Sequence, residues 1–174
     1  VIVLILVYFG ITYNNLIKLS NTVKEAFSTM DVYLKKRWDL IPNIVETVKG
    51  YAEHEKSTLK EIIELRNTSY DNMSTNEKVD VNSKLSQNIT KLMAISEAYP
   101  NLKASENFMD LSQKLMIVEN DIANSRKYYN GAVRIYNNKV QMFPSNIVAS
   151  VLGFKEQRMF EISKTERENV KVKL

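Results

Sequence analysis

A histidine followed by a glutamate, His54–Glu55, is the first pattern in this sequence whose residue types suit chemistry. In a zinc-protease helix, two histidines four residues apart bind the metal and the intervening glutamate is the general base. Thr58 stands where the second histidine is required, and His54 is the only histidine in the chain. We therefore expect no metal site, and we interpret His54 as a residue on the flank of a helix.

Other catalytic patterns are incomplete as well. The sequence has no glycine-rich phosphate loop, no Gly-x-Ser-x-Gly elbow and no cysteine for thiol chemistry. A di-iron bundle needs a Glu-x-x-His motif from each of two helices, which a single histidine does not supply. Paired carboxylates can perform acid–base chemistry, but the acids here are spread along solvated faces. We therefore expect neither a cofactor nor catalytic residues.

A group of polar residues lies on or beside the predicted helix–helix seams. Because a charge inside a bundle needs a partner, we predict an interhelical network in which Arg37 and Arg126 are paired by nearby acids, and which fixes helix register. Its candidate members are Asp31, Arg37, Asp39, Glu119, Arg126, Asn130 and Asn137. The alternative is that the arginine stems cover the seam while their guanidinium groups reach water.

Composition indicates which elements position these residues. The 174 residues contain only four glycines and three prolines, which favours long uninterrupted helices over a turn-rich sheet. The net charge of +4 is too evenly mixed with acids to indicate nucleic-acid binding. The basic and aromatic stretch "RKYYNGAVRIYNN" (residues 126–138) places Tyr129 and Tyr136 on a helix seam, so core packing explains it better than base stacking.

The N-terminal stretch "VIVLILVYFGITY" (residues 1–13) carries no charge. It is shorter than the roughly 20 residues that span a bilayer. Since the chain begins at Val rather than Met, we expect it to be the C-terminal part of a single-pass transmembrane helix. A signal-peptide core is the alternative, but no small-residue cleavage pattern follows. Downstream lysines weakly favour a cytoplasmic domain, although charges preceding Val1 could reverse this orientation.

Heptad rows predict the helices that follow. The first helix runs from Asn14 to about Asn67, with rows Leu16, Val23, Met30, Arg37, Ile44, Tyr51 and Phe27, Leu34, Ile41, Val48, Glu55, Ile62. A second helix spans about Glu77 to Ala98, after a capping box formed by Ser74 and Glu77. Pro100 ends that helix, and a third runs from Ser105 to about Gln141. Ser145 is predicted to cap a short helix that Gly153 closes.

Because of Pro42, two structures are consistent with the stretch "KKRWDLIPNIV" (residues 35–45). Either the chain reverses near Arg37 and gives a four-helix bundle, or one long helix continues through a kink at Pro42. The heptad phase from Leu34 through Ile41 to Val48 is unbroken and no glycine is available for a reversal. These observations favour the kinked helix. We expect three sections: a transmembrane part (residues 1–13), a bundle (14–154) and a charged tail (155–174), mostly loop but ordered near Phe154 and Phe160.

The chain resembles the LemA family of bacterial membrane-anchored helical proteins. The matching segments are "YNNL" (13–16), "DVYLKKRWDLIPNIVETVKGYAEHE" (31–55), "AYPNLKASENF" (98–108), "RKYYNGAVRIYN" (126–137), "FPSNIVA" (143–149) and "GFKEQRMFE" (153–161). Lys36 replaces a common second arginine, and Met159 an aromatic residue. The resemblance implies an N-terminal transmembrane helix followed by an antiparallel α-helical bundle, and it brings no catalytic residue.

Two functions fit these features. The first is a non-enzymatic interaction or scaffold module at the cell envelope, held in the bacterial cell membrane by its N-terminal helix and bound to a protein partner. The second is an enzyme or small-molecule binder that uses carboxylate and tyrosine groups inside the bundle. Lipid sensing by the basic tail is a weaker third possibility, because acids alternate with the bases there.

Overall fold

The computed structural model describes residues 1–52, 55–65 and 69–160, and within these ranges all regular secondary structure is helical. The helices are α1 (Ile2–Lys49), α2 (Lys56–Leu65), α3 (Thr75–Ala98), α4 (Pro100–Lys103), α5 (Glu106–Gln141) and α6 (Ser145–Val151), with one turn of 3₁₀ helix at Tyr70–Asn72. The predicted all-α bundle class is confirmed. The position of His54 lies outside the described residues.

Two compact units share the long helices. The first unit comprises Val1–Tyr33 and Asp121–Phe160, and it contains the N-terminal part of α1, the C-terminal part of α5, and α6. Its buried side chains include Leu16, Val23 and Met30 from a predicted row of α1, their neighbour Ala26, and Ile122, Tyr129, Val133 and Tyr136 of α5. Phe27 packs edge-on against Tyr129, with ring centroids 5.7 Å apart. Burial of these apolar side chains between α1 and α5 is the main contribution to the stability of the first unit.

The second unit contains residues 34–120 of the described chain. Its core joins the C-terminal part of α1 to α2, α3, α4 and the N-terminal part of α5. The buried side chains include Leu34, Trp38, Ile41, Ile44, Val48, Ile62, Leu85, Leu92, Leu102, Phe108 and Leu115. All except Leu102 lie on a predicted helix, where spacings of three, four and seven bring residues onto one face. Leu102 lies in α4, in a stretch that was predicted to be a turn between two helices.

Helix α1 continues through Pro42 and ends at Lys49. Of the two alternatives for this stretch, the continuous helix is therefore the one observed, and the reversal is wrong. Pro42 has no N–H to donate to the Trp38 carbonyl, but Ile41, Ile44 and Val45 are buried around it. The burial of these apolar side chains outweighs the loss of one backbone hydrogen bond.

The observed helix α1 ends earlier than the helix that the heptad pattern predicts. Gly50 and Tyr51 form a turn after α1, in which the Ala52 N–H donates to the Val48 carbonyl at 2.9 Å, and α2 begins only at Lys56. Glycine inside a helix costs about 1 kcal/mol relative to alanine. Tyr51, a predicted seam residue, is exposed. The single helix to Asn67 is therefore wrong, and two helices carry the apolar pattern.

The short helix α6 ends as predicted and begins differently. Gly153 has φ +74°, donates to the Ser150 carbonyl, and is followed by Phe154, which donates to the Ala149 carbonyl. This pair of bonds is a Schellman ending, where glycine is favoured. The prediction that Ser145 is the N-cap is wrong, because the N-cap residue is Pro144. The Ser145 hydroxyl instead donates to the carbonyls of Lys139 and Met142 at the end of α5.

The capping box at the start of α3 is confirmed. The Ser74 Oγ accepts from the Glu77 N–H, and the Glu77 carboxylate accepts from the Ser74 N–H at 2.7 Å. These bonds hold the pKa of the Glu77 carboxyl below its usual value. Because the folded pKa is lowered, the stabilisation is present above the pKa of the unfolded chain and is lost as pH falls through the folded value.

We expect Ser74→Ala to lower the free energy of unfolding by about 1 kcal/mol. Urea unfolding of the full chain in mild detergent measures the change. The matched control is Ser69→Ala, since Ser69 precedes the 3₁₀ turn and its side chain makes no capping bond. Equal effects of the two substitutions would show that the capping box does not stabilise α3.

Candidate functional site

The guanidinium of Arg37 is fully buried in the second unit, and its hydrogen-bond partners come from two other helices. Its Nη1 donates to the Ser86 Oγ at 2.7 Å and to the two Glu119 carboxylate oxygens at 2.9 and 3.1 Å. Its Nη2 donates to the Asn82 carbonyl at 3.0 Å and to the Asn82 Oδ1 at 2.7 Å. We call these four residues, Arg37, Asn82, Ser86 and Glu119, the Arg37 centre. It joins α1 to α3 and α5.

A second layer orients the Arg37 centre. The fully buried Asn82 donates from its Nδ2 to the Lys78 carbonyl at 2.8 Å, which leaves its Oδ1 facing Arg37. The buried Tyr70 ring lies 5.1 Å from the Trp38 ring, and the Lys78 ammonium is 4.7 Å from the Tyr70 centroid. These contacts close the side of the centre nearest the 3₁₀ turn, and ring packing with a cation over the face adds to its stability.

The chemistry of the Arg37 centre is that of a structural ion pair. Arginine keeps its charge at all ordinary pH values, and both terminal nitrogens are already engaged. Its Nε has no hydrogen-bond partner in the part of the chain that the structure describes. A buried ion pair of this kind holds helix register and contributes little net stability compared with apolar residues in place of both partners, whereas loss of one partner is costly. The geometry therefore offers positioning, with no free donor pair for a ligand's carboxylate or phosphate.

The other members of the predicted network lie in different places. Asp39 is at the surface with its carboxylate 3.2 Å from the Lys35 ammonium, and Asp31 is half-buried. Arg126 lies in the first unit, where its guanidinium carbon is 5.9 Å from the centroid of the Phe160 ring. The structure thus brings Arg37 and Glu119 together, while Asp39 is bound elsewhere. Sequence reasoning missed Asn82 and Ser86, which lie on α3 between Val79 and Ile89 and which no sequence pattern separates from exposed polar residues.

Asn130 and Asn137 belong to a separate arrangement in the first unit. Each asparagine makes a matched pair of bonds with one backbone residue of the non-helical segment 154–160. The Asn130 amide donates to the Phe160 carbonyl at 2.9 Å and accepts from the Phe160 N–H at 2.8 Å. The Asn137 amide bonds to Gln157 in the same way, with both distances 2.9 Å. Each amide therefore satisfies a backbone donor and acceptor as a neighbouring β-strand would.

Two tyrosines beside these asparagines hold the same segment. The Tyr136 hydroxyl donates to the Lys155 carbonyl at 3.0 Å, and the Tyr129 hydroxyl donates to the Arg158 carbonyl at 2.8 Å. Tyr129, Asn130, Tyr136 and Asn137 form what we call the Tyr-Asn ladder. Sequence reasoning placed the tyrosines on the seam and the asparagines beside it. It predicted helix partners for the asparagines, whereas their partners are backbone groups of the C-terminal segment.

The spacing of the ladder matches two repeats. Its rungs are seven residues apart on α5, a rise of about 10.5 Å at 1.5 Å per residue. The bonded residues are three apart on the segment, from Lys155 to Arg158 and from Gln157 to Phe160, which is about 10 Å in an extended chain. Seven residues of helix and three residues of extended chain therefore have nearly equal length. This match allows both Tyr–Asn pairs, 129/130 and 136/137, to bond to the same segment.

Burial raises the pKa of both ladder phenols. The nearby Arg158 guanidinium opposes this rise for the pKa of Tyr129, and a hydrogen bond with Gln157 opposes it for the pKa of Tyr136. Because the folded pKa values lie above the unfolded value of about 10, the ladder is fully stabilising below that pH. Its contribution is lost as pH rises through the folded values, since a phenolate cannot donate to a carbonyl.

We expect the free energy of unfolding to fall as pH rises above about 10, and Tyr129→Phe with Tyr136→Phe to flatten that dependence. Each lost hydroxyl is expected to cost about 1 kcal/mol at neutral pH. Urea titrations across the alkaline range measure both effects. Tyr128→Phe is the matched control because Tyr128 is exposed. An alkaline dependence unchanged in the double variant would contradict the assignment to these two phenols.

Comparison with known proteins gives a consistent result. A family model described as the LemA family matches residues 26–174. Protein LemA of Metamycoplasma hominis is 27% identical over 165 residues, which cover 94% of this chain and 75% of the relative. Magnetosome protein MamQ 2 of Paramagnetospirillum magneticum is 32% identical over 71 residues, covering 41% of this chain and 26% of the relative.

Proposed function

Because the chain belongs to the LemA family, we propose that it is a membrane-anchored, non-enzymatic interaction module at the bacterial cell envelope. The observation that carries the proposal is the N-terminal part of α1. Residues 1–7 are all apolar and between 52% and 94% exposed. A helix that exposes apolar side chains on every side is stable in lipid and costly in water.

The continuity of α1 supports an anchor over the two alternatives for such a segment. The window of α1 that is apolar enough to span a membrane is only 11% buried inside the protein, whereas a core helix would be mostly buried. A signal sequence would be removed by cleavage. Here the same helix runs on without a break, and Leu16, Val23 and Met30 lie in the core of the first unit. Cleavage within this helix would divide an element that the fold uses.

A protein partner is supported by one face of α5 in the second unit. Met109, Met116 and Ile117 are each more than half exposed, and the two methionines are seven residues apart on one face. Methionine is enriched at protein interfaces because its flexible thioether adapts to a partner surface. We infer that this face binds another envelope protein through an apolar contact.

The sequence's alternative, an enzyme or small-molecule binder, gains no separate support from these groups. The Tyr129 hydroxyl and the Asn130 amide, which such a site would use, bond to the backbone of Arg158 and Phe160. The Arg37 terminal nitrogens are bonded within their own centre. The groups best suited to substrate binding are therefore engaged in holding the chain's own segments.

The test is photocrosslinking of the full chain in native membranes. A photoreactive residue at Met116 is expected to yield one defined adduct with an envelope protein, identified by mass spectrometry. The matched control is Asn107, which is exposed on the opposite edge of the same helix and should yield none. Extraction at alkaline pH tests the anchor separately, and the chain should remain with the membranes. Release from the membranes, or the same adduct pattern at both positions, would overturn the proposal.

A further inference from the structure

The turn after α5 and the outer face of α6 carry a cluster of exposed apolar side chains in the first unit. Phe143 is 79% exposed and Val151 is 69% exposed, with Met142, Ile147 and Leu152 also on the surface. The whole stretch between Lys139 and Lys155 contains no charged residue. We call residues 142–152 the interfacial segment. Soluble surfaces seldom present this many neighbouring apolar side chains without a binding function.

The interfacial segment has two distinct faces. Val148 and Ala149 are buried, while Ile147 and Val151, four residues apart, lie together on the exposed side. The ends of α6 are held by the Ser145 hydroxyl at one side and by the Gly153 ending at the other. Because both ends of α6 are held by hydrogen bonds, the helix cannot rotate to bury its exposed apolar side chains.

The buried face of α6 packs against a specific part of α1. Leu16 forms a small core cluster with Val148 and Ala149, and Phe9 and Phe154 pack against this cluster. The Tyr13 ring meets the Phe154 ring edge-on, with centroids 6.1 Å apart. The α1 residues in these contacts run from Phe9 to Leu16, a rise of about 10.5 Å. The interfacial segment thus lies beside the last two turns of the uncharged N-terminal stretch.

That position corresponds to the depth at which an anchor leaves the bilayer. The first charged residue of the chain is Lys18, two residues after Leu16. Tyr8 and Tyr13 stand where aromatic rings settle at the lipid–water boundary. If α1 enters the hydrocarbon below this level, α6 lies within the headgroup region, where an exposed apolar face becomes buried among acyl chains.

We propose that the interfacial segment is a second membrane contact, which lies in the plane of the headgroup–acyl boundary in the leaflet where α1 emerges. The inference rests on the proposed anchor. Its occupant is lipid because the helix that carries the exposed apolar side chains packs through its buried face on α1 beside Phe9, next to the exposed apolar residues 1–7. Since the segment carries no charge, insertion depends on apolar contact and on tethering by α1, and it is independent of anionic lipid.

The absence of cysteine from the sequence allows a direct test with single-cysteine variants. The full chain is labelled with an environment-sensitive fluorophore at Leu6, Phe143, Val151 or Tyr128 and reconstituted in phosphatidylcholine vesicles. Lipids that carry a quencher on the acyl chain near the headgroup report contact with the bilayer. Tyr128 is the matched control, since it is exposed on α5 in the same unit and lies 14 residues, about 21 Å of helix, before Met142.

We expect blue-shifted emission and several-fold stronger quenching at Leu6, Phe143 and Val151 than at Tyr128. Quenching at Leu6 with Phe143 and Val151 no more quenched than Tyr128 would overturn this inference and leave the anchor standing. No quenching at Leu6 would overturn the anchor itself. Blue-shifted emission at Val151 without quenching by lipid would also overturn the inference, because it would place the segment against protein.

A substitution in the segment gives a second measurement. With the fluorophore at Phe143, Val151→Glu is expected to reduce quenching several-fold, because a carboxylate resists transfer into the acyl region. Ser150→Glu is the less sensitive comparison, since Ser150 is already polar. The helical circular dichroism of both variants establishes that they fold. Unchanged quenching at Phe143 in the Val151→Glu variant would contradict lipid insertion of α6.

Discussion

Replacement of Arg37 by methionine is expected to lower the free energy of unfolding by about 2–4 kcal/mol. Methionine fills part of the volume but leaves the fully buried Asn82 Oδ1 and the Glu119 carboxylate without their donor. The Glu119 side chain is one-third exposed, so water recovers part of its loss. The Asn82 oxygen has no such access, and its desolvation is the larger cost. Urea unfolding of the full chain in mild detergent measures the change.

Two further variants separate charge from geometry at the Arg37 centre. Arg37→Lys keeps the charge but loses the two-pronged donor geometry, and we expect it to recover less than half of the loss. Glu119→Gln keeps an acceptor, so it should cost about 1 kcal/mol. Combining Arg37→Met with Glu119→Gln should be less destabilising than the sum of the single variants, because the two residues interact. Full stability and unchanged oligomeric state in Arg37→Met would refute the network hypothesis.

The paired substitution Asn130→Ala with Asn137→Ala is expected to release segment 154–160 from α5. The two asparagines make four hydrogen bonds to Phe160 and Gln157, each contributing about 1 kcal/mol. Their loss should raise the hydrogen-exchange rate of the amides of these two residues by two to three orders of magnitude, since about 1.4 kcal/mol corresponds to a factor of ten. Hydrogen exchange with mass-spectrometric readout measures the rates.

Asn138→Ala is the control for the ladder, because Asn138 is the exposed neighbour of Asn137. Its substitution should leave exchange in segment 154–160 unchanged. Asn130→Asp separates the donated from the accepted hydrogen bond. The carboxylate still accepts from the Phe160 N–H but has no hydrogen to donate to the Phe160 carbonyl. We expect it to be as disruptive as alanine. Slow exchange that persists in the paired variant would show that the tyrosine bonds and Phe160 burial hold the segment without the asparagines.

The buried position of Arg37 was predictable, and its full set of partners was not. Heptad spacing from Met30 to Ile44 places Arg37 on the seam, since periodicity depends only on which residues are apolar. Asn82 and Ser86 carry no comparable signal. Short polar residues occur on exposed and buried helix faces alike, and only packing of α3 against α1 determines which carbonyl and amide meet the guanidinium. The two residues therefore had to be found in three dimensions.

The ladder illustrates a different limit of sequence reasoning. The seven-residue spacing of Asn130 and Asn137 was visible and was interpreted as part of a helix–helix network. Their observed partners are backbone groups, which every residue except proline presents identically. The sequence of segment 154–160 therefore contains no complementary pattern to match with the asparagines. The end of α1 was missed for a different reason: the apolar rows continue past Gly50 to Ile62, although the helix itself ends at Lys49.

The same feature determines which substitutions segment 154–160 should accept. Lys155, Gln157 and Arg158 are exposed, and their ladder bonds are made by their main-chain atoms. Position 157 accordingly has one forbidden residue, proline, which lacks the hydrogen that Asn137 accepts. Deleting one residue between 157 and 160 is far more disruptive than replacing either end, because it leaves one rung without its partner. The main-chain bonds of the ladder thus constrain the length of this segment more than the types of its exposed side chains.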